Sequence, residues 1–249
     1  MAIIIKTSAE IEKMRASGRI LREVHNAIRP VVRPGATTMD LEHAAAARIA
    51  EFGVVAAFKG YHGYPAALCT SINEEVVHGI PDAKRVLNDG DIVSIDCGVI
   101  LDGFYSDAAV TYAVGTSSDQ TRRLLETTEA SLQAAIKQAQ VGGRLGDISA
   151  AVQEVCEAEG FGVVRDFVGH GIGRAMHEDP QVPNFGSRGK GPRLKAGMVL
   201  AIEPMINAGK PDVKVLKDGW TAVTVDGSYS AHFEHTVAIT KDGPVVLTL

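Results

Sequence analysis

Asp96 and Asp107 stand eleven residues apart in the stretch Asp91-Ile-Val-Ser-Ile-Asp96-Cys-Gly-Val-Ile-Leu-Asp102-Gly103-Phe-Tyr-Ser-Asp107. Asp102-Gly103 is a two-residue turn signal of the kind that joins hairpin strands. With the turn there, residue 96 faces residue 109. Asp107 is then a diagonal neighbour of Asp96 on the same face of the sheet. Asp is a poor strand former, and like charges held this close either shift their proton affinities or demand a cation. Two more acids interrupt apolar β runs. Glu203 lies in Ile202-Glu203-Pro204, extended because the residue before Pro avoids the α region, and Glu234 lies in 231–240. His170 is flanked by glycines in Val168-Gly-His-Gly-Ile-Gly173, which lets other groups approach its ring closely. Singly, each reads as well as a solvated strand acid or an ordinary loop histidine. Together, four carboxylates and one imidazole make an oxygen-rich set, unlike the Cys and His of a structural zinc site. The set suits two divalent ions about 3.5–4 Å apart, of the Mn, Fe or Co class.

Those side chains need a frame, and the chain writes one twice, faintly. Asp40-Leu-Glu and Asp147-Ile-Ser each open a helix-like segment, closed by Gly53 and Gly160, at an offset of 107. At the same offset Gly90–Asp96 aligns with Gly197–Glu203, an acid on an acid. Tyr105-Ser-Asp107 resembles His232-Phe-Glu234 at an offset of 127, so the second half carries about 20 extra residues, placed at 207–227. Helices are expected from Thr7–Glu10 capping-box spacing onward, with Ile11, Met14, Gly18, Leu21, Val24 and Ile28 inward. Others are expected at about 38–52, 118–140 (with Ser117 and Gln120 at its start) and 147–159. Strands are expected at 67–72, 91–97, 104–114, 163–168, 198–207, 220–225, 232–240 and 244–248. Helices over a mostly antiparallel sheet give an α+β class.

The bulk numbers fit that picture. The 249 residues are 45% hydrophobic and 22% charged, with 25 basic and 30 acidic side chains and a formal charge of -5. That balance argues against a dedicated nucleic-acid binder. Nothing approaches the ~20 apolar residues of a membrane helix, and no secretory signal is read at the start. Three cysteines, Cys69, Cys97 and Cys156, with no CxxC, give no disulfide framework and favour a reducing cytoplasm.

Asp96, Asp107, His170, Glu203 and Glu234, in that order, resemble the ligand pattern of the pita-bread metallopeptidases. The strings Tyr61-His-Gly-Tyr64-Pro, Cys69-Thr-Ser-Ile-Asn-Glu, Val77-His78-Gly-Ile-Pro81, Val168-Gly-His-Gly-Ile-Gly173, His177-Glu178, Ile202-Glu-Pro204 and His235-Thr236 narrow the resemblance to the methionine aminopeptidases, type 1, short bacterial form. About 90 residues precede the first ligand strand, fewer than in creatinase or prolidase relatives. The resemblance covers nearly the whole chain.

It implies a pita-bread fold with two pseudo-symmetric halves, an antiparallel sheet covered by helices, and one catalytic domain over 1–249 (halves about 1–115 and 116–249). It implies removal of an N-terminal methionine from nascent chains, with a small second residue preferred; this chain itself begins Met-Ala. Two divalent ions (Co, Mn, Fe, Zn or Ni) would be bridged by Asp107 and Glu234, with Asp96 on one and His170 and Glu203 on the other. Glu203 would shuttle the proton, His177 would stabilise the oxyanion and His78 would meet the scissile amide nitrogen. The methionine slot would be Phe58, Tyr61, Tyr64, Cys69, Met176 and Trp220, and His78 and His177 would also bind the substrate. Two are departures: many relatives have Cys where Phe58 stands and Phe where Met176 stands. Asn73 and Ser230 fall where relatives bind a monovalent cation. His62 is placed near the rim; His25 and His43 read as surface residues, and His232 and His235 receive no role beyond their strand. The basic loop Arg188–Lys195 is a solvated turn or a contact to ribosomal RNA phosphates. A monomer is expected. The competing readings are a proline dipeptidase and a metal-free peptide-binding module.

Overall fold

Thr7 begins the first helix as its spacing to Glu10 requires. In the computed structural model, which describes residues 2–249, the Thr7 hydroxyl accepts the Glu10 N–H and the Glu10 carboxylate accepts the Thr7 N–H. Helix α1 (Ser8–Ile28) buries all six positions expected to face inward. Gly18 is required there, since a Cβ would lie 2.0 Å from the Leu247 carbonyl oxygen.

Helix α2 (Thr38–Glu51) opens with a second capping box, Thr37 with Asp40. Helix α3 (Asp119–Gln138) is capped by Ser118, one residue after the expected Ser117. Helix α4 (Leu145–Ala158) starts two residues before the expected 147. Asp147 is its third residue rather than its cap, and its carboxylate accepts the Arg144 N–H at 2.7 Å. Asp40 occupies the same position in α2, so the two helices match residue for residue at the offset of 107. The isolated bridges Thr37–Val86 and Arg144–Arg193 keep that offset too.

The strands of the first half are β1 (Val55–Ala56), β2 (Leu68–Ile72), β3 (Glu75–Val77), β4 (Ile92–Leu101) and β5 (Phe104–Ala113). The second half has β6 (Gly162–Val163), β7 (Gly169–Gly171), β8 (Glu178–Val182), β9 (Val199–Ile202), β10 (Met205–Asn207), β11 (Val213–Val215), β12 (Ala222–Thr224), β13 (Ser230–His232), β14 (His235–Thr240) and β15 (Gly243–Val246). Every pairing among the described residues is antiparallel. β4 pairs with β5, β1 and β2, and a second sheet runs β15-β14-β9-β7-β8. This is the α+β architecture expected. One core packs under α1 and α2 around Leu21, Leu41, Leu68 and Ile95, and another under α3 and α4 around Leu124, Leu132, Ile148 and Leu200.

Three expected runs are corrected. The run 163–168 ends after Val163, because Arg165 and Asp166 turn out to solvent. The runs 198–207 and 232–240 are each broken, at Glu203-Pro204 and Phe233-Glu234. β9 with β14 and β10 with β13 nevertheless share one register: Ile202 faces His235 and Met205 faces His232. The gap falls where Pro204 has no N–H to give and where Glu234 instead gives its N–H to Ala109 of β5 at 2.9 Å. β5 is further stapled to the second half by the Thr236 hydroxyl. It accepts the Asp107 N–H at 3.0 Å and donates to the Asp107 carbonyl at 2.8 Å.

Candidate metal centre and active site

The hairpin delivers its two acids as the turn dictates. Asp102 (φ 50) and Gly103 (φ 75) take the left-handed conformations of a type I′ turn. Asp96 then faces Ala109, and Asp107 faces Gly98. Gly98 is small for a reason: a Cβ there would press on Phe58 at 3.0 Å. In the second half the two glutamates sit at the strand breaks rather than within strands. The shared register, carried one step past Ile202–His235, sets Glu203 opposite Glu234.

His170 lies on β7, between β8 and β9, and not in a flexible loop. Its glycines are a matter of close approach. A Cβ on Gly169 would be 2.4 Å from the Ala201 carbonyl oxygen, and one on Gly171 would be 2.3 Å from that of Asp179. The His170 Nδ1 lies 2.9 Å from the Gly171 carbonyl oxygen. A carbonyl only accepts, so Nδ1 carries the proton and Nε2 presents a lone pair.

Ligand atoms of Asp107, His170 and Glu234 lie within 4.8 Å of one another, and all three residues are buried. The His170 Nε2 is 3.5 Å from Glu203 Oε1, and the Asp96 carboxyl interacts directly with that of Asp107. Asp96 Oδ1, Asp107 Oδ1 and Glu234 Oε1 are buried without a hydrogen-bond partner among the described residues. Such atoms need an explanation, and a cation supplies it. Burial pushes Asp96 up to about 7, against a pull down from His232; the Glu203 charge adds a weaker push up and the contact with Asp107 a weaker pull down. Burial pushes Glu203 up to about 8. Burial, with repulsion from Asp96 and Glu203 on Asp107 and from Asp107 on Glu234, holds both well above the carboxylate range. The residues present therefore fit divalent metal: acceptor-only oxygens, one imidazole lone pair and uncompensated negative charge.

The centre opens into a cavity of about 260 Å³. All six residues expected to form the methionine slot line it, as do His78, His177 and, at the rim, His62. Val77 and Val168, which open two of the strings quoted above, line it too, as do Phe167 and Met205, which carried no sequence signal beyond being apolar. Phe58, Tyr64, Cys69 and Met176 form one buried cluster with Tyr61 and Trp220 packed against it. The Tyr64 hydroxyl donates to the carbonyls of Leu68 and Gly79, which fixes its ring against Trp220.

His78 is held at φ 62, a strained conformation for this residue. The brace is local. Arg85 donates to the carbonyls of Thr70 and Ile80 and pairs with Glu75, whose carboxylate accepts the Ile72 N–H. Burial pushes His78 down to about 4, so the ring is neutral. His177 stands 2.8 Å from the Tyr61 hydroxyl through Nδ1, with its ring 4.3 Å from that of His170. Its segment is clamped by Glu178, which accepts the N–H groups of Arg174 and Ala175 and pairs with the buried Lys6 at 2.5 Å.

Asn73 and Ser230 also meet, the Ser230 N–H donating to the Asn73 carbonyl at 2.8 Å. The Asn73 side chain is engaged by Asp91 and Ile92, and the Ser230 hydroxyl by the Ile206 carbonyl. The helical histidines divide. His43 is exposed as expected, whereas His25 is buried, its Nε2 donating to the Ala108 carbonyl at 3.0 Å. α1 turns that residue inward onto β5, on the same face as Leu21 and Val24. His232 was missed as well. It is buried with Nε2 3.5 Å from Glu203 Oε2. The two-residue step from His232 to Glu234 within the expected 232–240 run was the signal that could have found it.

With this geometry in place, comparison with known proteins is direct. Residues 12–241 match the model of metallopeptidase family M24. A methionine aminopeptidase of Clostridium perfringens is 56% identical over 247 residues, covering 99% of each chain. The crystal structure of a methionine aminopeptidase from Thermotoga maritima superposes with a TM-score of 0.98 at 50% identity, with 99% of each chain covered. A prolidase of Pyrococcus horikoshii shares the fold alone, with a TM-score of 0.78 at 21% identity; 99% of this chain covers 63% of that one. Full-length identity of this order, over a centre whose acids and imidazole converge as described, places the chain in metallopeptidase family M24, among the methionine aminopeptidases.

Proposed function

We propose that this chain hydrolyses the peptide bond after an N-terminal methionine, and that its whole length acts as one catalytic unit. The observation that carries this is a buried cage of carboxylates and one imidazole at the inner end of an apolar, aromatic slot. An aminopeptidase of this family uses divalent metal and acts on peptide N-termini. The finer reading is two ions, which Asp96, Asp107, His170, Glu203 and Glu234 would hold between them. Bound there, the ions would supply Lewis acidity and a water activated at neutral pH.

The protein's own groups do the rest. Phe58, Tyr61, Tyr64, Cys69, Met176 and Trp220 hold the methionine side chain, so the scissile carbonyl lies at the cage mouth. Glu203 takes the proton from the attacking water and delivers it to the departing amine. With the Tyr61 hydroxyl donating to Nδ1, His177 keeps its proton on Nε2 and offers it to the carbonyl oxygen as charge develops. His78, neutral and held rigidly, hydrogen-bonds the scissile amide nitrogen.

The substrate reading extends to nascent chains in the cytoplasm, handled by a monomer. Among the described residues no helix is long and apolar enough to cross a membrane. Arg188, Lys190, Arg193 and Lys195 are exposed, with Arg188 already paired to Glu154. The remaining charges offer a phosphate contact at the ribosome, and neutralising them should reduce co-sedimentation with ribosomes.

The test of the activity is release of methionine from Met-Ala-Ser by the Mn(II)- or Co(II)-loaded protein, beside an Ala-Pro peptide, with a chelator and Glu203→Ala as controls. Metal-dependent release from Met-Ala-Ser alone supports the reading. Cleavage of Ala-Pro in its place would make the chain a dipeptidase, and peptide binding without turnover a binding module.

A further inference from the structure

His232 is the one buried group at this centre to which the mechanism above gives no work. Its side chain is 2% exposed, and its Nε2 has no hydrogen-bond partner among the described residues. Its backbone leaves little freedom. The N–H donates to the Thr111 hydroxyl and the carbonyl accepts from that same hydroxyl, both at 2.8 Å, while β13 pairs His232 with Met205 of β10.

The ring so fixed points Nε2 at Glu203 Oε2, 3.5 Å away. The other oxygen of that carboxylate, Oε1, is 3.5 Å from His170 Nε2. Glu203 therefore stands between two imidazoles, one oxygen toward each. The His170 nitrogen carries a lone pair, because its Nδ1 proton is committed to Gly171. A lone pair and a carboxylate oxygen face each other stably only across a cation. On the other side nothing restricts His232 Nε2 to a lone pair, and a buried nitrogen facing a carboxylate is satisfied by donating to it. At 3.5 Å a small side-chain rotation completes that bond. His232 does not line the cavity, whereas Asp96, Asp107, His170, Glu203 and Glu234 all do, so it is poorly placed to be a ligand itself.

We infer that His232 is a positioning residue, its Nε2–H donating to Glu203 Oε2 so that Glu203 meets metal through Oε1 alone. Held this way, the carboxylate keeps a lone pair on Oε2 outside the coordination shell, as a group that takes up and returns a proton must. Without the tether both oxygens are free to chelate, and the proton carrier is lost to the metal. This inference rests on the proposed role of Glu203.

The test compares the wild-type protein with His232→Leu and His232→Gln, each loaded with Co(II). The readouts are the visible absorption of the Co(II) centre and kcat and KM on Met-Ala-Ser. Leu should lower kcat by about 10–100-fold, the usual cost of losing a group that orients a metal ligand. It should leave KM nearly unchanged and shift the Co(II) spectrum. Gln, which can donate to the same oxygen, should restore both. A Leu variant with wild-type kcat and spectrum, or a Gln variant no better than Leu, overturns the inference. Nitrogen-15 NMR of histidine-labelled, Zn(II)-loaded wild-type protein decides without any substitution. A proton on His232 Nε2 supports the tether, and a bare or metal-bound Nε2 overturns it. Wild-type protein that takes up Co(II) but releases no methionine would instead bring down the proposed function, and this role of His232 with it.

Discussion

In the proposed mechanism Tyr61, whose hydroxyl is 2.8 Å from His177 Nδ1, does two jobs: its ring walls the slot and its proton sets the tautomer of the histidine. Tyr61→Phe keeps the wall and loses the bond. It should lower kcat on Met-Ala-Ser by up to about tenfold, the worth of one hydrogen bond, with KM nearly unchanged. His177→Ala removes the proposed oxyanion donor itself and should cost about 10²–10³ in kcat. Equal losses in the two variants would contradict this division of labour. Phe58 and Met176 are buried in one cluster, so the exchange of bulk noted in the sequence takes place across a shared space. Phe58→Cys alone should leave a cavity costing about 3 kcal/mol and raise KM. Adding Met176→Phe should bring stability in denaturant to within about 1.5 kcal/mol of the wild type and recover KM.

Elements, more than residues, decide which side chains meet. Asp96 and Asp107 were legible because a single turn signal, Asp102-Gly103, fixes the register of both strands. Glu203 and Glu234 were legible as residues but not as places. A strand break made by Pro204 and by a backbone bond to another sheet is a tertiary event that periodicity does not record. His25 was misread for a related reason: a histidine on a helix takes whichever side the neighbouring strand gives it. The segment carrying Met176 and His177 shows the same dependence on distant parts. It is held by Glu178, and Glu178 is held by Lys6, 172 positions away. Lys6→Met leaves that buried carboxylate unpaired. It should destabilise the protein by about 3–5 kcal/mol and lower kcat, because the His177 loop loses its anchor. Lys6→Met with Glu178→Gln should lose less stability than Lys6→Met alone, by thermal or denaturant unfolding. A larger loss in the double variant would contradict the clamp.

Across the whole molecule, two similar halves close on one charged centre. The repeat was visible as an offset of 107, which α2 and α4 keep residue for residue. It was blurred elsewhere because β9 and β10 are interrupted where β4 is continuous. Concentrating acids at the seam has a consequence for pH. Asp96 and Glu203 are pushed up to about 7 and about 8, from ordinary values of 3.8 and 4.5. A carboxyl whose folded pKa is raised favours the folded state while both forms are protonated. That contribution is lost as pH climbs from the unfolded value through the folded one. The chelated protein should therefore lose stability from these groups as pH rises toward about 8. Metal must displace the same protons, so its affinity should rise over the same range. The gap in Tm between metal-loaded and chelated protein should widen from about pH 6 to about pH 8; a constant or narrowing gap would contradict this electrostatic account.

The proposed convergence of five side chains on a pair of ions is open to direct sight. Crystals equilibrated with Mn(II), measured for anomalous scattering, should show two peaks about 3.5–4 Å apart. Asp107 and Glu234 should lie between them, Asp96 on one flank, and His170 with Glu203 on the other. A single peak, or manganese bound away from these residues, would contradict the account.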